Sequence, residues 1–419
     1  IDEVAIDDFL TLQYVPAPKT GFKKLYKLPP GHYFIYKNNT LHTQRYWSLN
    51  FNKKLNLSSK DWETLVFTEI KRAVKSHLVS DVPVGVLLSG GIDSSVVVAL
   101  MSINSSRRVN TFTVGFDDEK FDETTFAKMV SERYKTLHTQ LNITSEDLMK
   151  NIKDVADVYD EPIGDNSILP TMLIAKLAST KVKVALTGDG GDENFAGYER
   201  YTYVNLSNYF SKYPSVLKYA LQINAKIAFR TYPNKLTERM DKFASSISNK
   251  FYRKYVNYNS FFTNEVKHSL YSEDFENAVR NNDTFESYRS IYDEKLSDLD
   301  NALKIDINTY LPDDLLYKSD SASMAHGLEL RAPFLDHILM EKIAAMPSDM
   351  KFRLTTKKEI LKTVAFKNNL LPKEIIYRPK HGFTIPQNRW FKGPLKEYIS
   401  DQILTSKMIG RIFDRRRLR

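Results

Sequence analysis

The chain has 419 residues, 42% hydrophobic and 26% charged, with a formal net charge of +9, the composition of a globular protein large enough for two or three domains. It contains no cysteine, which excludes disulfides, thiolate metal sites and cysteine nucleophiles. No apolar run reaches membrane-spanning length, no signal peptide is visible, and the basic residues are spread out instead of forming one stripe; a cytoplasmic protein with neither membrane nor nucleic acid as a partner is expected. Because the first residue is Ile1 and not Met, the chain is expected to be cut from something longer.

Residues 1–50 contain two β-rich segments, GHYFIY and LHTQRYW, around Lys37-Asn38-Asn39. That is a hairpin signal. One hairpin cannot bury a core alone, so this piece must lean on the rest or belong to a missing N-terminal domain. From Ser58 the pattern turns helical, with Ser58 or Ser59 as the N-cap.

The organising stretch follows. Val82, Val84, Val86, Leu87 and Leu88 form a nearly continuous apolar run, as in a parallel strand covered on both faces. Ser89, Gly90 and Gly91 stop it, and Asp93, Ser94 and Ser95 open the helical run VVVALM. A glycine turn feeding a helix N-terminus offers backbone N–H groups and hydroxyls to an anion. A carboxylate at that place makes sense mainly if a divalent cation is shared with the anion. No Lys follows the glycines, so this is not the common GxxxxGK[ST] loop. The pattern SGG-x-DS matches the pyrophosphate loop of the ATP pyrophosphatase superfamily.

The runs VNTFTVGF, LHTQLNI and VKVAL read as further strands, separated by the helices FDETTFAKMVSERY, SEDLMKNIKDVADVYD and a helix after DEPIGDNSILP. Strands alternating with helices predict βαβ units, a mainly parallel sheet and ligands at the strands' carboxyl ends. After VKVAL comes the loop Thr187-Gly188-Asp189-Gly190-Gly191-Asp192-Glu193. Three acids so close repel one another, and a cation is their natural resident. Past about Tyr201 few convincing strands remain, and the chain reads as a helical domain folded over the strand ends. There, Arg331 beside Glu329 and Asp336 is expected to form a buried ion-pair network fixing the helical domain or, alternatively, to shape a carboxylate site. Lys358 in TTKKEILK and Lys380 in RPKHGF are candidates to balance charge growing on a leaving pyrophosphate. His326 and His381 lack metal-ligand spacing and read as structural. The terminal Arg415-Arg416-Arg417-Leu418-Arg419 reads as a helix end or tail.

Together, LLSGGIDSS, TFTVGFDDEKFDETTFA, DEPIGDNSILPT, LTGDGGDENFAGYERY, SDSASMAHGLELRAPFLD and RPKHGF resemble the synthetase domain of glutamine-dependent asparagine synthetases, in family order over residues 82 to 395. YVPAPKT, KLPPGHY and RYW resemble the end of that family's glutaminase domain. The resemblance implies an α/β fold with a parallel sheet of the ATP pyrophosphatase (HUP-like, adenine nucleotide α-hydrolase) type followed by a helical domain. It implies a glutaminase remnant over 1–55, the ATP pyrophosphatase domain over 56–200 and the helical part over 201–419, stopping early at the C-terminus. It further implies ATP and Mg²⁺ as cofactors, with a carboxylate activated as acyl-AMP and then amidated by ammonia; aspartate would give asparagine. By matching, Ser89, Gly90, Gly91, Asp93, Ser94 and Ser95 would hold pyrophosphate and Mg²⁺. Leu87 and Val114 would contact the adenosine, Thr187 and Gly188 the nucleotide, and Asp192 the metal. Lys358 would stabilise the adenylation transition state.

The sequence departs from the family pattern in three ways. Asp189 stands where several members carry the Glu that assists the intermediate. The GDGGDE and DEPIGDNS variants resemble members thought to amidate other carboxylates, such as sugar uronic acids of surface polysaccharides. The family's glutaminase uses an N-terminal Cys, and this chain has none. Ammonia would therefore come free or from a glutaminase domain outside this chain, and a homodimer is one expected assembly. Competing readings are a β-lactam-synthetase-like intramolecular ligase, an RNA-modifying thiolase, which the absence of cysteine opposes, and a non-catalytic nucleotide-binding fragment.

Overall fold

In the computed structural model, which describes residues 1–118, 120–211, 213–232, 234–246, 250–353, 356–379, 382 and 385–418, the apolar run after Pro83 lies inside a five-stranded sheet. Two strands precede it in the chain, β1 (His32–Lys37) and β2 (Thr40–Arg45), paired antiparallel. The sheet itself comprises β3 (Val84–Leu87), β4 (Asn110–Phe116), β5 (Leu137–Ile143), β6 (Val184–Leu186) and β7 (Glu329–Arg331). All neighbours are parallel, in the order β5-β4-β3-β6-β7. The order reverses between β3 and β6, so the switch point lies where both glycine loops leave the sheet.

Each face of the sheet carries its own core. On one side Val86 and Leu88 pack with Trp62, Val66 and Ile70 of α2 (Ser59–His77) and with Val96 to Met101 of α3 (Ile92–Asn104). On the other, Phe112, Val114 and Ala185 pack with Leu169, Ile174 and Ala175 of the helix Ile168–Ser179. α2 starts at Ser58, whose hydroxyl accepts from the Asp61 amide, as an N-cap should.

The later half of the chain is interleaved with this unit. β7 pairs with β6 at the sheet edge, and Ile360, Leu361, Val364 and Ala365 enter the same core as α2 and α3. Packing therefore crosses residue 200, where sequence patterning suggests a boundary. The mostly helical remainder has a separate core of Tyr201, Val204, Tyr255, Tyr288 and Leu303. Leu12, Tyr14, Leu49 and Phe51 of the N-terminal segment join it, with the Tyr14 and Tyr288 hydroxyls 2.9 Å apart. The first 20 residues and those after Trp47 thus lean on the helical core, while the β1–β2 hairpin projects from it with Phe34, Ile35, Tyr36 and Leu41 exposed. Asn38 and Asn39 both have positive φ, as a two-residue hairpin turn demands.

The ion-pair expectation around Arg331 needs correction. Arg331 donates to Glu329 at 2.7 Å and to the carbonyls of His77 and Val79. Asp336 instead receives Arg72 from α2 at 2.5 Å and caps the helix His337–Ala344. Arg72 was the nearer cation in space because α2 packs on this segment.

Candidate active site

A cavity of about 1040 Å³ opens over the carboxyl ends of β3 and β6. Leu87, Ser89, Gly91, Asp93, Ser94, Val114, Thr187, Gly188, Asp189, Asp192 and Lys358 all line it. The loop after β3 is tied internally. The Ser89 amide donates to Ser94 Oγ at 3.2 Å, and the Gly91 amide to Ser89 Oγ at 3.3 Å. Gly91 is the N-cap of α3 and makes no side-chain cap bond, so the helix's first amides have no capping side chain over them and remain suited to an anion.

Two expected loop residues sit behind the cavity wall. Gly90 has φ +73°, and a Cβ there would lie 2.7 Å from the Ala127 amide nitrogen at the start of the following helix. Ser95 is fully buried, and its Oγ meets no hydrogen-bond partner among the described residues. Gly90 lets the loop approach the next helix, and Ser95 packs inside. Lys380 and His381 lie outside the described residues. Their neighbour Arg378 lines the cavity, pairs with Glu123 and stacks 4.2 Å over Phe126. Arg378 itself thereby lies against the FDETTF segment.

The loop after β6 is built by segments distant in sequence. Asn194 donates to the carbonyls of Gly190 at 2.9 Å and Phe334 at 3.0 Å, so APFLD holds the acidic loop in place. Asp192, in the short helix Gly191–Phe195, and Asp93, in α3, then converge on Lys358. The Lys358 ammonium pairs with Asp93 and lies 2.6 Å from Asp192 Oδ1. Burial pulls the Lys358 ammonium toward neutrality, but the Asp192 and Asp93 carboxylates outweigh it and raise its pKa. Three glycines make the space. A Cβ on Gly188 would fall 2.9 Å from Asp93 Cβ, one on Gly191 2.6 Å from Asp93 Oδ1, and one on Gly197 would collide with both Asp192 and Lys358.

This donor set fits a divalent cation shared with phosphate oxygens. A lysine ammonium already stands between the two carboxylates, and Mg²⁺ is commonly held by one or two carboxylates plus substrate phosphates. Among the described residues no group of three or more His, Cys, Asp or Glu side chains forms a complete metal cage.

Away from that cluster the cavity wall is a buried polar network that motif matching passes over. Lys318 donates to Asp165 at 2.6 Å and to Ser167 Oγ at 2.7 Å. Burial would raise the Asp165 carboxyl, but Lys318 and Ser167 hold it below the usual range. Asp189, accepting from Thr187 Oγ1 at 3.0 Å, is raised by burial despite Lys318 nearby. Burial, then Asp192, lifts Glu193 to about 7; burial, then Asp165, lifts Asp314 to about 8. Arg200 lies between the rings of Tyr198 and Tyr310, 4.2 and 4.5 Å from their centres, and pairs with Asp306 at 2.9 Å. The available signal for Lys318 was its place four and five residues after Asp314 and Asp313, one helical turn on from two buried acids.

The comparisons with known proteins agree with this architecture. The asparagine synthase family profile matches residues 66–419. Asparagine synthetase 1 (glutamine-hydrolyzing) of Bacillus subtilis strain 168 is 29% identical over 408 residues, covering 97% of this chain and 63% of that protein. Asparagine synthetase 3 (glutamine-hydrolyzing) of the same organism is 22% identical over 395 residues, covering 91% and 58%. Amidase chry2 of Gibberella zeae is 27% identical over 425 residues, covering 92% and 62%. The chain thus spans about three fifths of the length of these relatives. With the profile running from α2 through both glycine loops, Lys318 and Lys358, the chain belongs to the asparagine synthase family.

Proposed function

We propose that this chain is an AMP-forming, carbon–nitrogen ligase that activates a carboxylate with ATP and Mg²⁺ and amidates it with ammonia, aspartate giving asparagine. One observation carries the reading: carboxylates from the loops after β3 and β6 meet a single buried lysine at the switch point of the sheet. Mg²⁺ bound by Asp93 and Asp192 would neutralise polyphosphate charge. The amides of the Ser89–Ser94 loop bind the pyrophosphate portion, and Leu87 and Val114 flank the adenosine. A carboxylate oxygen of the acceptor attacks the α-phosphorus and pyrophosphate leaves. Lys358, released from its acids, offsets the charge that grows on the leaving group. Lys318 positions the acceptor carboxylate. Ammonia then attacks the acyl carbon, AMP leaves, and Asp189, with its raised affinity for protons, takes the proton that the new amide sheds.

The projecting β1–β2 hairpin supports reading residues 1–55 as the edge of a glutaminase domain that would supply the ammonia. A second acceptor class, a sugar uronic acid, is favoured by the roomy cavity and by the short Asp189 carboxylate, and similarity to a protein named an amidase fits an amide product other than asparagine. The test is to incubate the chain with ATP, Mg²⁺ and ammonium and a panel of carboxylates, and to measure AMP and pyrophosphate. AMP with asparagine from aspartate supports the first acceptor; AMP with a uronic acid alone supports the second. ADP and phosphate as products would sink both.

A further inference from the structure

Between the helices Glu199–Ser211 and Phe251–Asn259 in the sequence, the chain builds a helical hairpin from Ser215–Thr231 and Lys235–Ser246. Its inner side is small. Gln222 Nε2 donates to the Ala244 carbonyl at 3.1 Å, Ala225 and Ala244 are buried, and Phe243 meets Phe210 edge-on at 5.5 Å. Its outer side is apolar. Val216, Tyr219, Ile223 and Ile227 recur at three- and four-residue spacing along one face of the first helix, and are 79, 65, 42 and 56% exposed. Such a face normally turns to a core; here it turns outward. Tyr232, 71% exposed, lies at the turn, and Leu236 and Met240 extend the surface on the second helix. Lys226 and Arg230 flank the apolar face and are exposed. In residues 215–246 Lys and Arg outnumber Asp and Glu six to two.

We propose that this hairpin docks the protein on an anionic lipid surface. An exposed apolar face bordered by basic residues is the pattern of a helix lying in a membrane interface. Tyrosines suit the boundary, where one end of the ring is apolar and the other wet. The stems of Lys226 and Arg230 can lie on the apolar face with their charges at the headgroups. The charge selects the occupant: two copies of so basic a hairpin repel one another, whereas anionic headgroups attract it. No described helix is long and apolar enough to cross a membrane, so the attachment is peripheral. The proposal stands on surface residues alone and is independent of the acceptor assigned to the cavity.

The test is flotation of the chain with phosphatidylcholine vesicles, with and without phosphatidylserine, at low and high salt. Binding that requires phosphatidylserine and weakens with salt is expected. Each basic side chain near an anionic surface is worth about five-fold in binding, so K226Q/R230Q should bind about thirty-fold more weakly. V216S/I223S/I227S should abolish binding. Both variants alter exposed positions and should keep the parent's melting temperature; if the triple variant fails to fold, the charge variant and the salt series still decide. No binding, binding equal on both vesicle types, or binding unchanged in both variants overturns the proposal. A hairpin-dependent dimer without lipid binding also overturns it, and assigns the face to a second copy.

Discussion

On one side of the cavity, where the two glycine loops meet, Asp93 and Asp192 share one ammonium, and Lys358 is held charged by them. Elsewhere in the cavity lining, Asp314 and Glu193, the latter next to Asp192 in the same short helix, lie buried with too little positive charge to offset desolvation, and their protons stay on to about pH 7 for Glu193 and 8 for Asp314. The two pairs of acids differ in whether a lysine ammonium pairs with them directly, as Lys358 does with Asp93 and Asp192. The first keeps its oxygens ionised and is ready to exchange one cation for another, as phosphate and metal binding requires. The second holds protons near neutrality, which suits a step in which ammonia must lose them.

The largest test of this contrast removes the shared cation. Lys358→Ala should lower AMP formation about a thousand-fold, the scale seen when one preorganised transition-state donor is lost. Without ligand it should also destabilise the fold by on the order of 3 kcal/mol, since two carboxylates are left facing each other. Mg²⁺ should then raise the melting temperature of the variant more than that of the parent; equal shifts would mean that the acids do not share a cation site.

A smaller perturbation displaces the cluster without changing its charge. Gly197→Ala pushes a methyl into Asp192 and Lys358. Activity should fall about a hundred-fold, the cost of an ångström-scale misplacement, with a lowered melting temperature, since overpacking a buried site costs about 1–3 kcal/mol. Full activity would show that Lys358 has room to spare.

On the opposite side, Lys318→Gln should raise KM for the acceptor carboxylate about ten-fold, the worth of one charge-assisted hydrogen bond, and leave KM for ATP within about two-fold. A matching rise in both constants would erase the functional division between the two sides.

A further effect is on stability against pH. The folded pKa of Asp314, about 8, lies above its ordinary carboxylate value. Its stabilising contribution is therefore full below that ordinary range, declines as pH rises, and is gone once pH passes the folded value. The slope between them is at most about 1.4 kcal/mol per pH unit. Denaturation midpoints should fall from pH 6 to 9 in the parent and fall less in Asp314→Asn. Identical profiles would show that Asp314 is not the proton holder.

The contrast also explains what the sequence made legible. β3 and its loop announce themselves because a strand buried on both faces must be continuously apolar and the turn after it needs glycine. The acidic loop is equally visible as seven consecutive residues. β7 is not: three residues, with Glu329 exposed, carry no strand pattern, and only pairing with β6 makes them one. Lys318 escaped for a related reason. A lysine four residues from an acid looks like a solvated helix face, and only burial shows that Asp165, from a loop far back in the chain, is its partner. Gly90 and Ser95 belong to the same SGG-x-DS motif, but backbone geometry turns one against a helix and the other into the core.

The position of β7 has a consequence for how the protein is made. β6, with all three residues buried, sits between β3 and β7. During synthesis it emerges long before its outer neighbour, which must wait until the helices of residues 199–308 have left the ribosome. Throughout that interval β6 is an open, apolar edge of the kind that recruits stray strands. The nascent chain thus passes through a stage that a chaperone would be expected to guard, and the sheet that carries both glycine loops closes only after the helices of residues 199–308 have been made.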